Sequence, residues 1–501
     1  MISPRRSTLR QMIALALALA LLGPQAAGRA QEADDWTARY APAMLPEYAG
    51  DLATRPDAPR YAIDLALAVT PTEAAITGSQ TVHYTNRAPA ALDQIVFRLY
   101  PNLNSYGGDM TVSRVAVDGL AVTPDLDETR SVLSVPLPEP LAPGARAAIE
   151  MDFRVTVFAG RTRLYAQFSY LNGVLALPNA YPALSVYEPG RGWWQVTDHP
   201  QGDAVYSETA FYQVRVTAPD KLILAASGSE IDLIDNGDGT LTHHYVAPLM
   251  RDFALFASED YVTLSGEQDG VTITLYFAPD QPQAKAGARA GLQLTQDAVR
   301  IFNASFGGYP FAELDVVQTP TGAGGIEYPG VFVVADSIWD PAEEFFQFVI
   351  AHEAAHQWWY SLVGSDQTLN PWMDEALAQY SVAVYIRDRE GAAAYQAALE
   401  SFRAQYAYFV ETHDDDVIGE PVTAYPANAY FFLVYQKGPL FFAALDEMFG
   451  YDAVNRMLRD YFTAYRYGIA EPNDMLTSFE TTLGENLDDL FEEWVGPFAV
   501  G

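Results

Sequence analysis

The chain has 501 residues, with 29 basic and 64 acidic side chains, a net charge of −35 and no cysteine. Half of it is apolar and 13% is aromatic, which excludes global disorder and leaves material for large buried cores. So anionic a chain repels phosphates rather than releasing their counterions, so no nucleic-acid partner is expected. The absence of cysteine excludes disulfides, thiolate metal sites, cysteine nucleophiles and a lipobox-type lipid anchor.

The chain opens with Arg5, Arg6 and Arg10, then an unbroken apolar run from Met12 to Leu22, then Gly28-Arg29-Ala30 with small residues at the −3 and −1 positions. This pattern predicts a secretory signal peptide over residues 1–30, cleaved after Ala30. The run is short for a bilayer span. Arg5-Arg6-Ser7-Thr8-Leu9 partly matches a twin-arginine signal but lacks the aromatic residue after the pair, so the export route stays open. No other stretch reads as a transmembrane helix. The expectation is an exported protein, periplasmic or extracellular, without stable membrane insertion after cleavage, and a monomer.

From Tyr61 to Phe277 short segments such as YAIDLALAV, SQTVHYTN, AAIEMDFRVTV and VTITLYFAP alternate apolar with polar positions, or carry β-branched and aromatic residues, as strands do. Val117-Asp118-Gly119 and Asp235-Asn236-Gly237-Asp238-Gly239 are hairpin signals. The second lacks the carboxylate spacing of a calcium loop and reads as a bare turn. From Pro282 onward the period changes to that of helices, predicted over 284–303, 342–360, 371–389, 391–410, 432–449, 453–465 and 487–495. Asn370-Pro371 is a favourable helix opening. The boundary falls near residues 260–270, giving a front domain over 31–265 and a back domain over 266–501.

His352-Glu353-Ala354-Ala355-His356 is an H-E-x-x-H motif inside the apolar stretch FFQFVIAHEAAHQWWY. Helix positions i and i+4 share a face, so two imidazoles there can reach one zinc ion, with Glu353 beside it, placed to take a proton from water. A catalytic zinc wants three protein ligands and an open position. Glu375 lies nineteen positions after His356, which allows the first helix to end, a loop to turn at Gly364-Ser365-Asp366, and a second helix to return. Asp374 is a rival third ligand.

H-E-x-x-H, eighteen residues, then Glu resembles the aminopeptidase N-like zinc metallopeptidases, a gluzincin branch that also includes leukotriene hydrolase. Gly324-Gly325-Ile326-Glu327-Tyr328 stands where that family has Gly-Ala-Met-Glu-Asn. Tyr435-Gln436-Lys437-Gly438 is similar to its Tyr-x-Lys-Gly element. TGSQTVHYTN, IVFRLYPN and VAPLMRDFALFAS resemble its amino-terminal β domain. Ile326, Tyr328 and Ala376 depart from the family's usual Met, Asn and Gly.

The resemblance implies a multidomain α and β protein: an all-β sandwich or saddle followed by a thermolysin-like α+β catalytic domain, with no long C-terminal helical domain. It implies one Zn²⁺ per chain on His352, His356 and Glu375, with Glu353 as general base and then acid. Tyr435 would donate to the oxyanion, with Tyr425 and Tyr430 as near alternatives. Glu327 would accept the α-amine of peptide substrates, and Gly324 and Gly325 would leave room for a substrate strand. The implied activity is a secreted zinc aminopeptidase. The alternatives are an endopeptidase of the same fold and a catalytically silent, zinc-containing peptide-binding protein. His413 with Asp414, Asp415 and Asp416 reads as a solvated acidic loop, Asp198-His199 as a loop, and Trp193-Trp194 as core or domain interface.

Overall fold

A computed structural model describes residues 36–195, 199, 201–281, 283–426 and 428–497. The amino-terminal segment expected to be a signal peptide lies outside these residues, as does Asp198. The front half is built on an eight-stranded sheet. Its strands are β1 (Arg60–Val69), β2 (Glu73–Thr85), β3 (Asp109–Val117), β4 (Leu120–Ala121), β5 (Arg146–Phe158), β6 (Ala210–Pro219), β7 (Ser229–Asp235) and β8 (Thr240–Met250). They are arranged β7-β8-β6-β1-β2-β5-β3-β4. Tyr61, Ile63, Leu65 and Leu67 of β1 all point inward, as a period of two requires. At the β3–β4 hairpin Asp118 and Gly119 have φ of 50° and 78°, the positive values that a two-residue turn of this hand demands. Two four-stranded sheets and a two-stranded ribbon, Tyr187–Glu188 with Gly192–Trp193, accompany it among the described residues.

The back half opens with a five-stranded sheet of β9 (Val262–Gln268), β10 (Val271–Phe277), β11 (Glu313–Thr319), β12 (Gly325–Tyr328) and β13 (Val331–Ala335), in the order β9-β10-β11-β13-β12. β11 runs parallel to β10 and β13, and β12 is an antiparallel edge strand. Position 265 falls inside β9, which pairs along its whole length with β10, so the change of sheet comes before Val262. Strands β11 to β13 have no counterpart among the strands expected from the sequence. Leu314 to Val317 and Val331 to Ala335 are buried without alternation, and such runs carry no period of two.

The helices are α1 (Ala284–Ser305), α2 (Glu344–Ala355), α3 (Glu375–Glu390), α4 (Ala392–Val410), α5 (Gly438–Phe449), α6 (Tyr451–Tyr465), α7 (Pro472–Leu483) and α8 (Asp488–Trp494). The helix expected over 371–389 is split: Pro371–Met373 is a 3₁₀ turn without a side-chain cap from Asn370, and α3 begins afresh at Glu375. The segment expected to open a helix at Phe432 is a π-helical turn, Phe431–Lys437, continued by α5. Helix α7 was not anticipated. It opens on Pro472 with a reciprocal cap between Glu471 and Asp474.

One apolar core runs through both halves, and several polar links cross between them. Trp194 donates its indole N–H to Asp366 Oδ2 at 3.1 Å, which fits the expected interface role of the Trp193-Trp194 pair. Arg251, fully buried, donates to four back-bone carbonyls: Ser207 at 2.9 Å, Tyr360 at 2.5 Å, Leu362 at 3.3 Å, and Gly468. A Cβ on Gly364 would lie 2.1 Å from the guanidinium carbon, so only glycine fits there. Asp252 accepts the Tyr360 hydroxyl. Tyr360 follows the H-E-x-x-H motif with φ of 111°, a strained conformation held from both its carbonyl and its ring.

Burial pushes the Asp252 carboxyl up to about 7, against the opposing Tyr360 hydrogen bond and Arg251. A carboxyl raised in the folded state binds its proton more tightly than the unfolded chain does. Its contribution is full below the unfolded value and is lost as pH rises toward about 7. At about 1.4 kcal/mol per unit, the loss between pH 5 and 7 is ~3 kcal/mol. Asp252→Asn, which still accepts from Tyr360, is expected to be less pH-dependent by about that amount in urea titrations at pH 5 and pH 8. Parallel pH profiles for the two proteins would contradict this.

Candidate metal centre and active site

Helix α2 is buried on every side from Val349 to Ala355, although its first turn, with Glu344 and Phe345, is exposed. His352 and Glu353 lie in its last turn, and His356 caps it. The chain reverses through Tyr360 and the Gly364 strand, and Glu375 returns as the first residue of α3. His352 Nε2 and His356 Nε2 are 3.1 Å apart, and Glu375 Oε2 lies 3.2 Å from the first and 3.5 Å from the second. Four tetrahedral ligands at zinc bond lengths stand about 3.3 Å from one another. The trio therefore fits that ion, and Glu375 Oε2, buried and without a hydrogen-bond partner, is the kind of atom a cation completes.

Asp374, the rival ligand, faces away from this triangle. Its Oδ1 accepts from His356 Nδ1 at 2.6 Å, while Oδ2 accepts from Gln367. That bond places the proton on Nδ1 and leaves the Nε2 lone pair turned toward Glu375 and His352. Burial disfavours the charged His356 ring, but Asp374 and Glu327 outweigh it and raise its pKa. Burial also works against the Glu375 charge, yet the two neighbouring imidazoles hold its carboxyl far below the usual range. Asp374→Asn is expected to weaken zinc binding by about 10–100-fold, measured by competition with a chromophoric chelator. Unchanged affinity would remove Asp374 from any role in orienting His356.

Glu353 and Glu327 converge with His356, each offering an atom within 4.8 Å of the others. Both carboxyls are raised, first by burial and then by other acids, with His356 opposing. Gly325 explains how Glu353 fits: a Cβ there would lie 2.4 Å from Glu353 Oε1. Gly324 meets Val349 more loosely, at 3.1 Å. Gln357 ties the end of α2 to the β12–β13 hairpin, donating to Tyr328 O at 3.0 Å and accepting from Gly330 N at 2.9 Å. Strand β12 therefore presents Glu327 to the metal trio while its outer edge stays open.

Tyr435 lies on the π-helical turn, its ring 6.1 Å from that of His352. Single π turns recur at functional sites because they re-aim one side chain. The turn is gripped on two sides. Gln379 donates to the Tyr435 carbonyl at 3.0 Å, and Lys437 Nζ donates to Asp415 at 2.9 and 3.1 Å and to Asp416 O at 2.6 Å. Asp415 is thus a paired anchor rather than a solvated acid. Tyr430 stacks edge-on against Tyr435 at 5.7 Å, and Tyr425 is occupied with Ile418 O at 2.6 Å. Of the three tyrosines weighed, Tyr435 and Tyr430 line the cavity.

Asp203 was not foreseen. It sits on the loop leading into β6 and lines the same cavity, beside a Gly202 whose Cβ would meet the Tyr430 hydroxyl at 3.1 Å. Burial, with repulsion from Glu375 and Asp374, pushes its carboxyl up to about 7. No local pattern marks an acid in an irregular loop; only the packing of the front half against the back half brings it here. The cavity measures about 1570 Å³, and among the described residues that line it there is no Lys or Arg.

Residues 291–494 match the peptidase family M1 domain. The chain is 23% identical over 374 residues to endoplasmic reticulum aminopeptidase 2 of Homo sapiens, covering 70% of this chain and 37% of that protein. It is 20% identical over 416 residues to aminopeptidase 2 of Candida albicans, covering 77% and 42%. The chain thus spans about two fifths of the length of these curated relatives. Among solved structures, an M1 zinc metallopeptidase from Deinococcus radiodurans has the same fold, with a TM-score of 0.67 at 20% identity over 89% of this chain and 95% of that one. A variant of that protein was solved bound to Tyr-Ser-Ala.

Proposed function

We propose that this chain, whose residues 291–494 match the peptidase family M1 domain, is an exported zinc aminopeptidase that removes amino-terminal residues from peptides. The observation that carries this reading is the charge of the cavity. Glu327 and Asp203 lie beside the metal trio, and no cationic side chain among the described lining residues offsets them. Such a site receives an ammonium group and has nothing with which to bind a terminal carboxylate. An α-amine anchored there leaves room for only one residue before the metal. Export is supported by the basic and apolar pattern of residues 1–30.

His352, His356 and Glu375 would hold Zn²⁺, a Lewis acid that polarises a carbonyl and acidifies water. Glu327 and Asp203 accept the substrate ammonium, and the free edge of β12 pairs with the substrate backbone. Glu353 takes a proton from the attacking water and passes it to the leaving amine, a task suited to a carboxyl whose pKa is raised by burial. Tyr435 donates its hydroxyl to the oxyanion that develops on the former carbonyl.

Free and N-acetylated forms of one peptide decide the reading. Acetylation is expected to abolish cleavage, and Glu327→Ala to lower kcat/KM for the free form by more than about 100-fold, as befits loss of a charged hydrogen bond in a dry site. Internal cutting of the acetylated peptide would make the protein an endopeptidase. Full metal content with no cleavage of any peptide would make it a silent binder.

A further inference from the structure

The cavity continues well past the metal trio, and this part of it is not used by the amine anchor or by the hydrolytic groups. Glu327 and Asp203 hold one end. The other end runs between α2, α3 and α4 and is walled by Phe345, Phe348, Val349, Val382, Ile386 and Phe402, with the exposed Glu344 and Glu390 at its margin. Its wall nearest the metal is an aromatic row. The rings of Phe345 and Phe348 stack at 6.1 Å, and Phe348 stacks on His352 at 6.3 Å with an interplanar angle of 10°. Across the opening, Phe431 stacks on Tyr435 at 5.9 Å. Phe345 and Phe431 are about half exposed, at 52% and 47%, so each turns an apolar face to solvent at the approach to the buried metal-ligand trio. Val382 and Phe402 close the floor, at 1% and 4% exposure.

Once the substrate amine is fixed at Glu327 and Asp203, its only continuation is away from them, past the metal and along this wing. Resting on the aminopeptidase reading, we infer that the wing binds the residue on the carboxyl side of the scissile bond and selects a bulky apolar or aromatic side chain there. That side chain covers the Phe345–Phe348 row and the exposed face of Phe431, removing apolar surface from water on both partners. A glycine at this position leaves the row wet, and an acidic residue meets the repulsion of Glu344 and Glu390.

The experiment uses the full-length zinc-loaded protein and two tetrapeptides, Ala-Phe-Ala-Ala and Ala-Gly-Ala-Ala, with release of the first alanine followed by mass spectrometry. The expected kcat/KM is at least about tenfold higher for the phenylalanine peptide. Ile386→Glu and Phe348→Ala, made separately, are each expected to bring the ratio toward one. A ratio within twofold in the unmodified protein overturns the inference, as does a tenfold ratio that survives in both variants. Release of alanine from both peptides at equal rates leaves the aminopeptidase reading standing while the inference falls; release from neither overturns both.

Discussion

Glu353→Gln is expected to lower kcat by about 10²–10⁴-fold, the range that loss of a positioned general base costs, while the protein keeps about one zinc per chain. Glutamine has the shape of glutamate, so it occupies the space that the missing Gly325 Cβ leaves free. It is not among the three groups whose atoms converge on the metal position, so metal retention follows. What it lacks is a carboxylate able to take up a proton and release it later. Glu353 Oε2 is buried without a hydrogen-bond partner, so nothing in the protein competes with the attacking water for that oxygen. Turnover and metal content measured on the same preparation check the assignment. Full activity would dismiss Glu353 as base, and loss of metal along with activity would mean it supports the site rather than the reaction.

Stripping the metal with a chelator is expected to abolish turnover and to lower thermal stability by several degrees, both recovered on adding zinc. The stability term follows from charge. Asp203, Glu327, Glu353, Asp374 and Glu375 crowd around two imidazoles, and burial, reinforced by their mutual repulsion, raises the carboxyls of all but Glu375. A dication at the centre relieves that repulsion only in the folded state. A ligand at a thousand times its Kd stabilises by about 4 kcal/mol. Glu375→Ala should reproduce both effects at ordinary zinc concentration. Its Oε2 completes the triangle, and removing it leaves two ligands and an open face too wide for tight binding. An unchanged melting temperature with and without chelator would show that no metal is held at these residues.

Much of the site is visible along the chain because its chemistry is local. His352, Glu353 and His356 share one helical turn, so their mutual placement needs only the helix period. Glu375 required an inference about a loop and a returning helix. The structure supplies that geometry in a different local form, with a 3₁₀ turn and a fresh helix start at the ligand itself. Helix geometry alone leaves Asp374 as a rival to Glu375, and the preference for Glu375 comes from the eighteen-residue spacing of the family it resembles; the His356 Nδ1 bond shows where Asp374 goes. The strands β11 to β13 escaped notice because strands buried on both faces show no alternation. The grip of Lys437 on Asp415 spans 22 positions and was invisible for the same reason that any tertiary ion pair is.

Composition and spacing alone determined that this chain is an anionic two-part protein, strand-rich in front and helix-rich behind, with a candidate zinc triad and a neighbouring base. Those features depend on residue type and on contacts within a few turns of helix. Only the tertiary structure decided which acid sits on His356 Nδ1, which glycine makes room for Glu353, and that Asp203 of the front half joins Glu327 in one acidic cavity. Such pairings join residues far apart in sequence. They come into being only when the packed core brings the two halves together, because side-chain direction at long range is set by burial rather than by local period.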